Sequence, residues 1–200
     1  MSKKPEVLLL SPKFAQALLL ANEFHGNQTR KGSRTPYISH LMSVSALVME
    51  FGGSEDQAIA GLLHDALEDA PNAHEAARRE DQIRAEFGNE IAEMIGGCTD
   101  GRPGDDGEKA PWKERKQSYL AAMADKPSNT LLVVGCDKLH NLGCTVRDLR
   151  REGCATLERF NAGADGLAWY FGEIGRILNM RGIPVADDYA KLMDEFRGML

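Results

Sequence analysis

Apolar residues recur along this chain at spacings of three and four, and no run alternates as a half-buried strand would. Between the apolar stretches stand the local signals that start and stop helices. Ser11-Pro12 is an N-cap followed by proline in the first turn, opening a helix through Glu23. A second runs from Ser39 to Phe51 and ends at Gly52-Gly53. Ser54-Glu55-Asp56-Gln57 has the form of a capping box; the helix it starts is expected to continue to Glu68 and stop before Pro71. Helical pattern returns over 73–87, 89–97, 111–124, 128–151, 155–181 and 187–198, while 26–35 and 99–109 are polar, glycine-rich loops. The apolar run 131–134 alone could pass for a strand, but its flanks favour a buried helix face. The fold class is therefore all-α, a bundle of about eight to ten helices. With no internal repeat and no long linker, 1–200 reads as one domain around one core.

Composition narrows the partners. A formal net charge of -6 makes the surface repel nucleic-acid phosphates on average, though a local basic pocket can still hold one small anion. The four cysteines, Cys98, Cys136, Cys144 and Cys154, form no C-x-x-C pair and read as reduced thiols of a cytoplasmic protein. Lys3 and Lys4 precede the apolar run 7–10, but that run stops at Ser11-Pro12-Lys13, too short for a signal-peptide core. No later stretch reaches the length a membrane span requires. The expectation is a soluble, cytoplasmic protein with neither membrane nor nucleic acid as partner; the oligomeric state stays open.

The segment Ala60-Gly-Leu-Leu-His-Asp-Ala-Leu-Glu-Asp69 carries the most chemical information. On a helix, His64 stacks with Glu68 and Asp65 with Asp69, and the four polar groups fall within an arc of about 140°. Leu62, Leu63, Ala66 and Leu67 border that stripe, so it lies against the core, where polar groups are costly unless paired or bound to metal. Imidazole and carboxylate suit a divalent transition metal. The doublet supplies two ligands, and two more must come from elsewhere; His40 and Asp137 are the candidates. Singly, each residue has an ordinary explanation: a hydrogen-bonded core histidine, a solvated helix end, a cap. Two acids at a helix C-terminus oppose the macrodipole, however, and the joint pattern is far more specific than any member.

His40, His64-Asp65 and Asp137 resemble the H…HD…D signature of the HD-domain metal-dependent phosphohydrolases. Within that superfamily, Phe24-His-Gly-Asn-Gln-Thr-Arg-Lys31, Pro36-Tyr-Ile-Ser-His40, Leu62–Asp69 and Asp137-Lys-Leu-His-Asn141 are similar to the hydrolase domain of RelA/SpoT homologues, the small alarmone hydrolases in particular. Pro111-Trp-Lys-Glu-Arg-Lys116, Arg159-Phe-Asn-Ala-Gly163 and Trp169-Tyr170 resemble the single-domain bacterial members. The resemblance implies hydrolysis of guanosine 3′,5′-bis(diphosphate) (ppGpp) or its 5′-triphosphate analogue to GDP or GTP and pyrophosphate, with one Mn²⁺. Only His74 lies between the doublet and the last aspartate, which favours one metal over two.

Glu68 and Asp69, one turn past the doublet, are placed to orient water and exchange protons, with Glu68 the leading candidate. Arg30 and Lys31, on the loop before His40, and Asn141, one turn after Asp137, are the expected substrate contacts. Lys113, Arg115 and Lys116 read as a solvated face, and Trp169 and Tyr170 as core. Leu41 stands where many relatives have proline. Gly143 stands where the family often has arginine, with Arg147 one turn further on as a candidate replacement. That departure keeps open another nucleotide phosphatase on the same scaffold, acting on a nucleoside monophosphate or a phosphorylated dinucleotide. A nucleotide-sensing module without catalysis is the alternative outside enzymes.

Overall fold

The computed structural model describes residues 7–160 and 162–200; Lys3, Lys4 and Asn161, which entered the reading above, lie outside the described residues. The helices run α1 (Pro12–His25), α2 (Ile38–Glu50), α3 (Glu55–Leu63), α4 (Ala73–Phe87), α5 (Asn89–Cys98), α6 (Trp112–Met123), α7 (Ser128–Glu152), α8 (Gly163–Met180) and α9 (Ala186–Gly198). A 3-10 helix, Cys154–Arg159, joins α7 to α8. Among the described residues there is no strand, only an antiparallel bridge between Thr29 and Pro36 that closes the loop before α2. No helix among these residues is long and apolar enough to cross a membrane.

The start signals act as the sequence suggests. Ser11 accepts from the Lys13 N–H at the head of α1. At the head of α3, Ser54 Oγ accepts from the Gln57 N–H at 3.3 Å and Gln57 Oε1 accepts from the Ser54 N–H at 2.9 Å. α7 is the central element and packs against α2, α3, α5, α8 and α9. Residues 130–137 of α7 are buried on every side, which explains why that stretch reads as a continuous apolar run without helical period.

Two helix boundaries differ from expectation. α3 ends at Leu63, not at Glu68, and 64–69 follow as successive turns. The His64 ring lies 2.9 Å from the Gly61 carbonyl, the acceptor that a continuing α-helix would give to the Asp65 N–H. Ala66 N–H then turns back to Leu63 and Asp69 N–H to Asp65. Gly61 also permits the close crossing of α3 on α2: a Cβ there would sit 3.1 Å from Ser45 Cα. Nor is 155–181 one helix. Phe160 is extended, Gly163 takes φ +62°, and Arg159 is drawn into an ion pair with Asp148 of α7. The chain therefore breaks between the 3-10 helix and α8.

Candidate metal centre and its cavity

His40 lies in the first turn of α2, His64 caps the C-terminus of α3, Asp65 begins the following turn, and Asp137 sits midway along α7. Their side chains converge. His64 Nε2 is 3.0 Å from Asp65 Oδ2 and 3.5 Å from Asp137 Oδ1; His40 Nε2 is 3.2 Å from Asp137 Oδ1 and 3.6 Å from Asp65 Oδ2. One atom each from His40, His64 and Asp65 can hold a metal ion, all within 4.8 Å of one another, and Asp137 Oδ1 faces both imidazoles. Both Nε2 atoms are buried and lack a hydrogen-bond partner. Buried nitrogens in that state are expensive, and a divalent cation between them and the two carboxylates satisfies all four groups. The residues present fit a metal.

The surrounding contacts orient each ligand. With Nδ1–H of His64 donated to the Gly61 carbonyl, its Nε2 lone pair faces the cluster. His40 Nδ1 is 2.8 Å from His140 Nδ1. Burial, then the nearby His40 and Arg30, push His140 down to about 3, so His140 stays neutral and accepts while His40 donates. Tyr37 donates its hydroxyl to Asp65 Oδ2 at 2.6 Å. Asn141 Nδ2 donates to Asp137 Oδ1 at 2.6 Å, and Lys138 Nζ is 2.6 Å from Asp137 Oδ2.

Electrostatics agree with the geometry. Burial works against ionising Asp65, yet the His64 and His40 imidazoles hold its carboxyl well below the usual range. Burial likewise opposes charge on Asp137, and Lys138 followed by His64 overcomes it. Burial disfavours a charged His64, but Asp65 and Asp137 raise it well above an ordinary histidine. The carboxylates thus draw positive charge to this point, a demand that a dication meets.

Beyond the doublet, Glu68 Oε1 lies 3.3 Å from Lys109 Nζ and 4.0 Å from Arg115. Asp69 accepts from Gln28 Nε2 at 2.7 Å, and Gln28 Oε1 is itself 2.7 Å from His25 Nδ1. Burial, then the negative charge of Asp65, raises Asp69 to about 6. The two acids thus have different partners, Lys109 for Glu68 and Gln28 for Asp69.

A cavity of about 790 Å³ opens beside the cluster. Arg30, Lys31 and Asn141 all line it, together with Tyr37, Lys138 and His140, which touch Asp65, Asp137 and His40 respectively. Arg30 donates to Asn141 Oδ1 at 2.7 Å, so the loop before α2 is tied through Asn141 to Asp137. Gly143 is outside the lining, and a Cβ there would face Leu192 of α9 at 3.6 Å; Arg147 does line the cavity. His74 is exposed on α4. Lys113 is exposed as expected, but Arg115 and Lys116 are not a solvated face. Both are largely buried in ion pairs with Asp100, whose side chain is 1% exposed, and Lys116 reaches the cavity wall. Tyr170 is core, as expected, but also lines the cavity; Trp169 is half-buried. The sequence reading assigned no role to Tyr37, Lys138 or His140, although all three stood inside the motifs that flank His40 and Asp137.

A family profile described as "HD domain" matches residues 17–163. The chain belongs to the HD-domain family. It is 32% identical over 139 residues to guanosine-3′,5′-bis(diphosphate) 3′-pyrophosphohydrolase MESH1 of Xenopus tropicalis, covering 68% of this chain and 69% of that protein. It is 34% identical over 137 residues to the GTP pyrophosphokinase of Streptomyces coelicolor, covering 68% of this chain. A third relative, the 3′-pyrophosphohydrolase of Aquifex aeolicus, is 33% identical over 135 residues, 66% of this chain. The matched region spans only 15% and 18% of those two long proteins. A solved structure described as a metazoan ortholog of SpoT that hydrolyzes ppGpp superposes with a TM-score of 0.72 over 97% of this chain and 100% of that one; at 24% identity this is a likeness of fold.

Proposed function

We propose that this protein is a divalent-metal-dependent phosphohydrolase that cleaves the 3′-pyrophosphate from ppGpp or its 5′-triphosphate analogue, leaving GDP or GTP. The observation that carries the reading is the pair of buried, partnerless imidazole nitrogens facing two carboxylates at the edge of a basic cavity. His40, His64, Asp65 and Asp137 are assigned as ligands of one ion, Mn²⁺. The resemblance to MESH1 along most of both chains supports the substrate. We take 1–200 as a single domain, a reading supported by one continuous apolar core from Ala17 to Phe196. A cytoplasmic location is supported by four unpaired cysteines.

The bound ion supplies Lewis acidity, which lowers the pKa of water towards neutrality and offsets phosphate charge. The chain's own residues do the rest. Asp69, held by Gln28, takes up the proton at its carboxylate, and Glu68, held by Lys109, orients the water. Arg30 and Lys31 hold phosphate or stack on the base, and Asn141 keeps Asp137 aimed at the imidazoles. The test is to incubate Mn²⁺-loaded protein with a nucleotide panel and identify products by mass. Pyrophosphate and GDP from ppGpp are expected. Release of phosphate from a nucleoside monophosphate or a 2′-phosphorylated dinucleotide, with ppGpp untouched, overturns the substrate while keeping the metal site. No turnover of any nucleotide leaves a binding module.

A further inference from the structure

His25 is the last residue of α1 and only 2% exposed. A histidine at a helix C-terminus ordinarily offers positive charge to the macrodipole. His25 does not, because burial pushes its imidazole below an ordinary histidine and keeps it neutral. Nor does packing require an imidazole. The ring stacks on Tyr37 at 5.3 Å, a contact that a phenyl ring would also make, and its Nε2 is buried without a hydrogen-bond partner. An orphaned buried nitrogen destabilises the fold, so the reason for an imidazole here lies with its other nitrogen.

Nδ1 lies 2.7 Å from Gln28 Oε1, and Gln28 Nε2 donates to Asp69 Oδ2 at 2.7 Å. A glutamine amide fits its space in either of two orientations, and its neighbours choose between them. An ionised Asp69 carboxylate only accepts, so the amide turns its NH2 toward Asp69 and its oxygen toward His25. Nδ1 is then the protonated nitrogen and Nε2 the bare one. The other tautomer would bury an unpartnered N–H and set the amide oxygen against the carboxylate. The chain therefore runs one way: His25 donates to Gln28, and Gln28 donates to Asp69.

Backbone contacts fasten the middle member. The Gln28 N–H donates to the His25 carbonyl at 2.9 Å, and the Gln28 carbonyl accepts from the Tyr37 N–H at 2.9 Å. The Tyr37 hydroxyl in turn donates to Asp65 Oδ2. One stacked pair of rings thus supports a carboxylate of the metal cluster through Tyr37 and the nearby acid through Gln28. With Oδ2 engaged, Asp69 is left with Oδ1, 3.8 Å from Lys109 Nζ, to face water.

From this geometry we propose that His25 and Gln28 are positioning residues that fix the rotation of the Asp69 carboxylate, presenting Oδ1 as the oxygen that takes the proton from the attacking water. Both act through Asp69 and not on the substrate. The proton transfer rests on the phosphohydrolase reading, whereas the positioning rests on the hydrogen-bond chain alone.

Two variants of His25 separate its two contacts. His25→Phe keeps the stack on Tyr37 and removes the donor; His25→Asn loses the stack and sets an amide N–H near the place of Nδ1–H. Gln28→Met keeps the side-chain length and removes both hydrogen bonds. In the Mn²⁺-loaded protein, Gln28→Met and His25→Phe should each lower kcat for ppGpp about 10-fold, with KM and Mn²⁺ affinity unchanged, since a misplaced catalytic group can lose up to about 10²-fold. The double variant should be no slower than Gln28→Met alone, because one chain is broken only once. His25→Asn should recover most of the loss. Independently of turnover, ¹⁵N spectra of the metal-free protein should show one Gln28 side-chain amide proton shifted downfield and slow to exchange with water. That signal should collapse in His25→Phe and in Asp69→Ala. An ordinary Gln28 amide signal, multiplied losses in the double variant, or Gln28→Met with unchanged kcat overturns the proposal. If the signal behaves as expected while no nucleotide is hydrolysed, the proposed reaction fails and the positioning chain stands.

Discussion

Replacing Tyr37 by phenylalanine removes one hydroxyl from the support of the metal cluster and leaves its packing intact. The Tyr37 ring stacks on His25 at 5.3 Å and meets the His40 ring edge-on at 5.6 Å, contacts a phenyl ring preserves. Its hydroxyl donates to Asp65 Oδ2 at 2.6 Å, the same oxygen that faces His64 Nε2 at 3.0 Å. Burial, then Asp65, pushes Tyr37 far above an ordinary phenol, so it acts as a neutral donor at every working pH. A hydrogen bond to a charged group contributes about 1.5–3 kcal/mol. Metal-free Tyr37→Phe should therefore melt about 3–12 °C lower, taking about 2–4 °C per kcal/mol for a chain of this size. That loss is common to the metal-free and loaded states and does not by itself weaken the metal. The metal loses affinity through the freed carboxylate, which must be reordered on binding, and about 10–100-fold is the ordinary effect of removing such a partner. Differential scanning fluorimetry without metal reads the first quantity, and calorimetric titration with Mn²⁺ reads the second. A variant that melts with the parent and binds Mn²⁺ equally well would refute the reasoning.

His64→Ala should bind no stoichiometric metal and turn over no substrate; full occupancy by elemental analysis contradicts its place in the cluster. Glu68→Gln and Asp69→Asn should retain metal and lower kcat about 10²-fold each, whereas loss of metal would make either acid a ligand. In the metal-free protein burial and the charge of Asp65 raise Asp69 to about 6 in place of 3.8, so a carboxyl titration near that pH should be seen by NMR and should vanish in Asp69→Asn. The raised value also fixes a stability sign: this carboxyl's contribution is complete below its unfolded pKa and lost as pH rises through 6, so urea melts should show Asp69→Asn gaining on the parent at pH 8 but not at pH 4. Arg30→Ala should raise KM more than it lowers kcat, and unchanged kinetics would return Arg30 to a structural strut for Asn141.

What could be read from the sequence, and what could not, divides by the range of the interaction. Helix starts are local, and Ser11 and Ser54 cap the helices that follow them through contacts within three residues. Convergence of His40, His64, Asp65 and Asp137 was legible because each sits in a motif of characteristic form. Their supports were not, because those are pairs made by the fold: His40 meets His140 across 100 residues and Arg30 meets Asn141 across 111. Arg115 and Lys116 look solvated in a run of charges, and only the fold shows Asp100 buried beneath them. The end of α3 is the instructive case. A continuing helix would set Glu68 one turn above His64 and Asp69 one turn above Asp65. The His64 ring instead occupies the Gly61 carbonyl and the chain turns. Lys109 then meets Glu68, while Asp69 settles against Gln28 under the field of Asp65. The side chain that orients a ligand thus also ends the helix, and ending it sends the two adjacent acids to different partners.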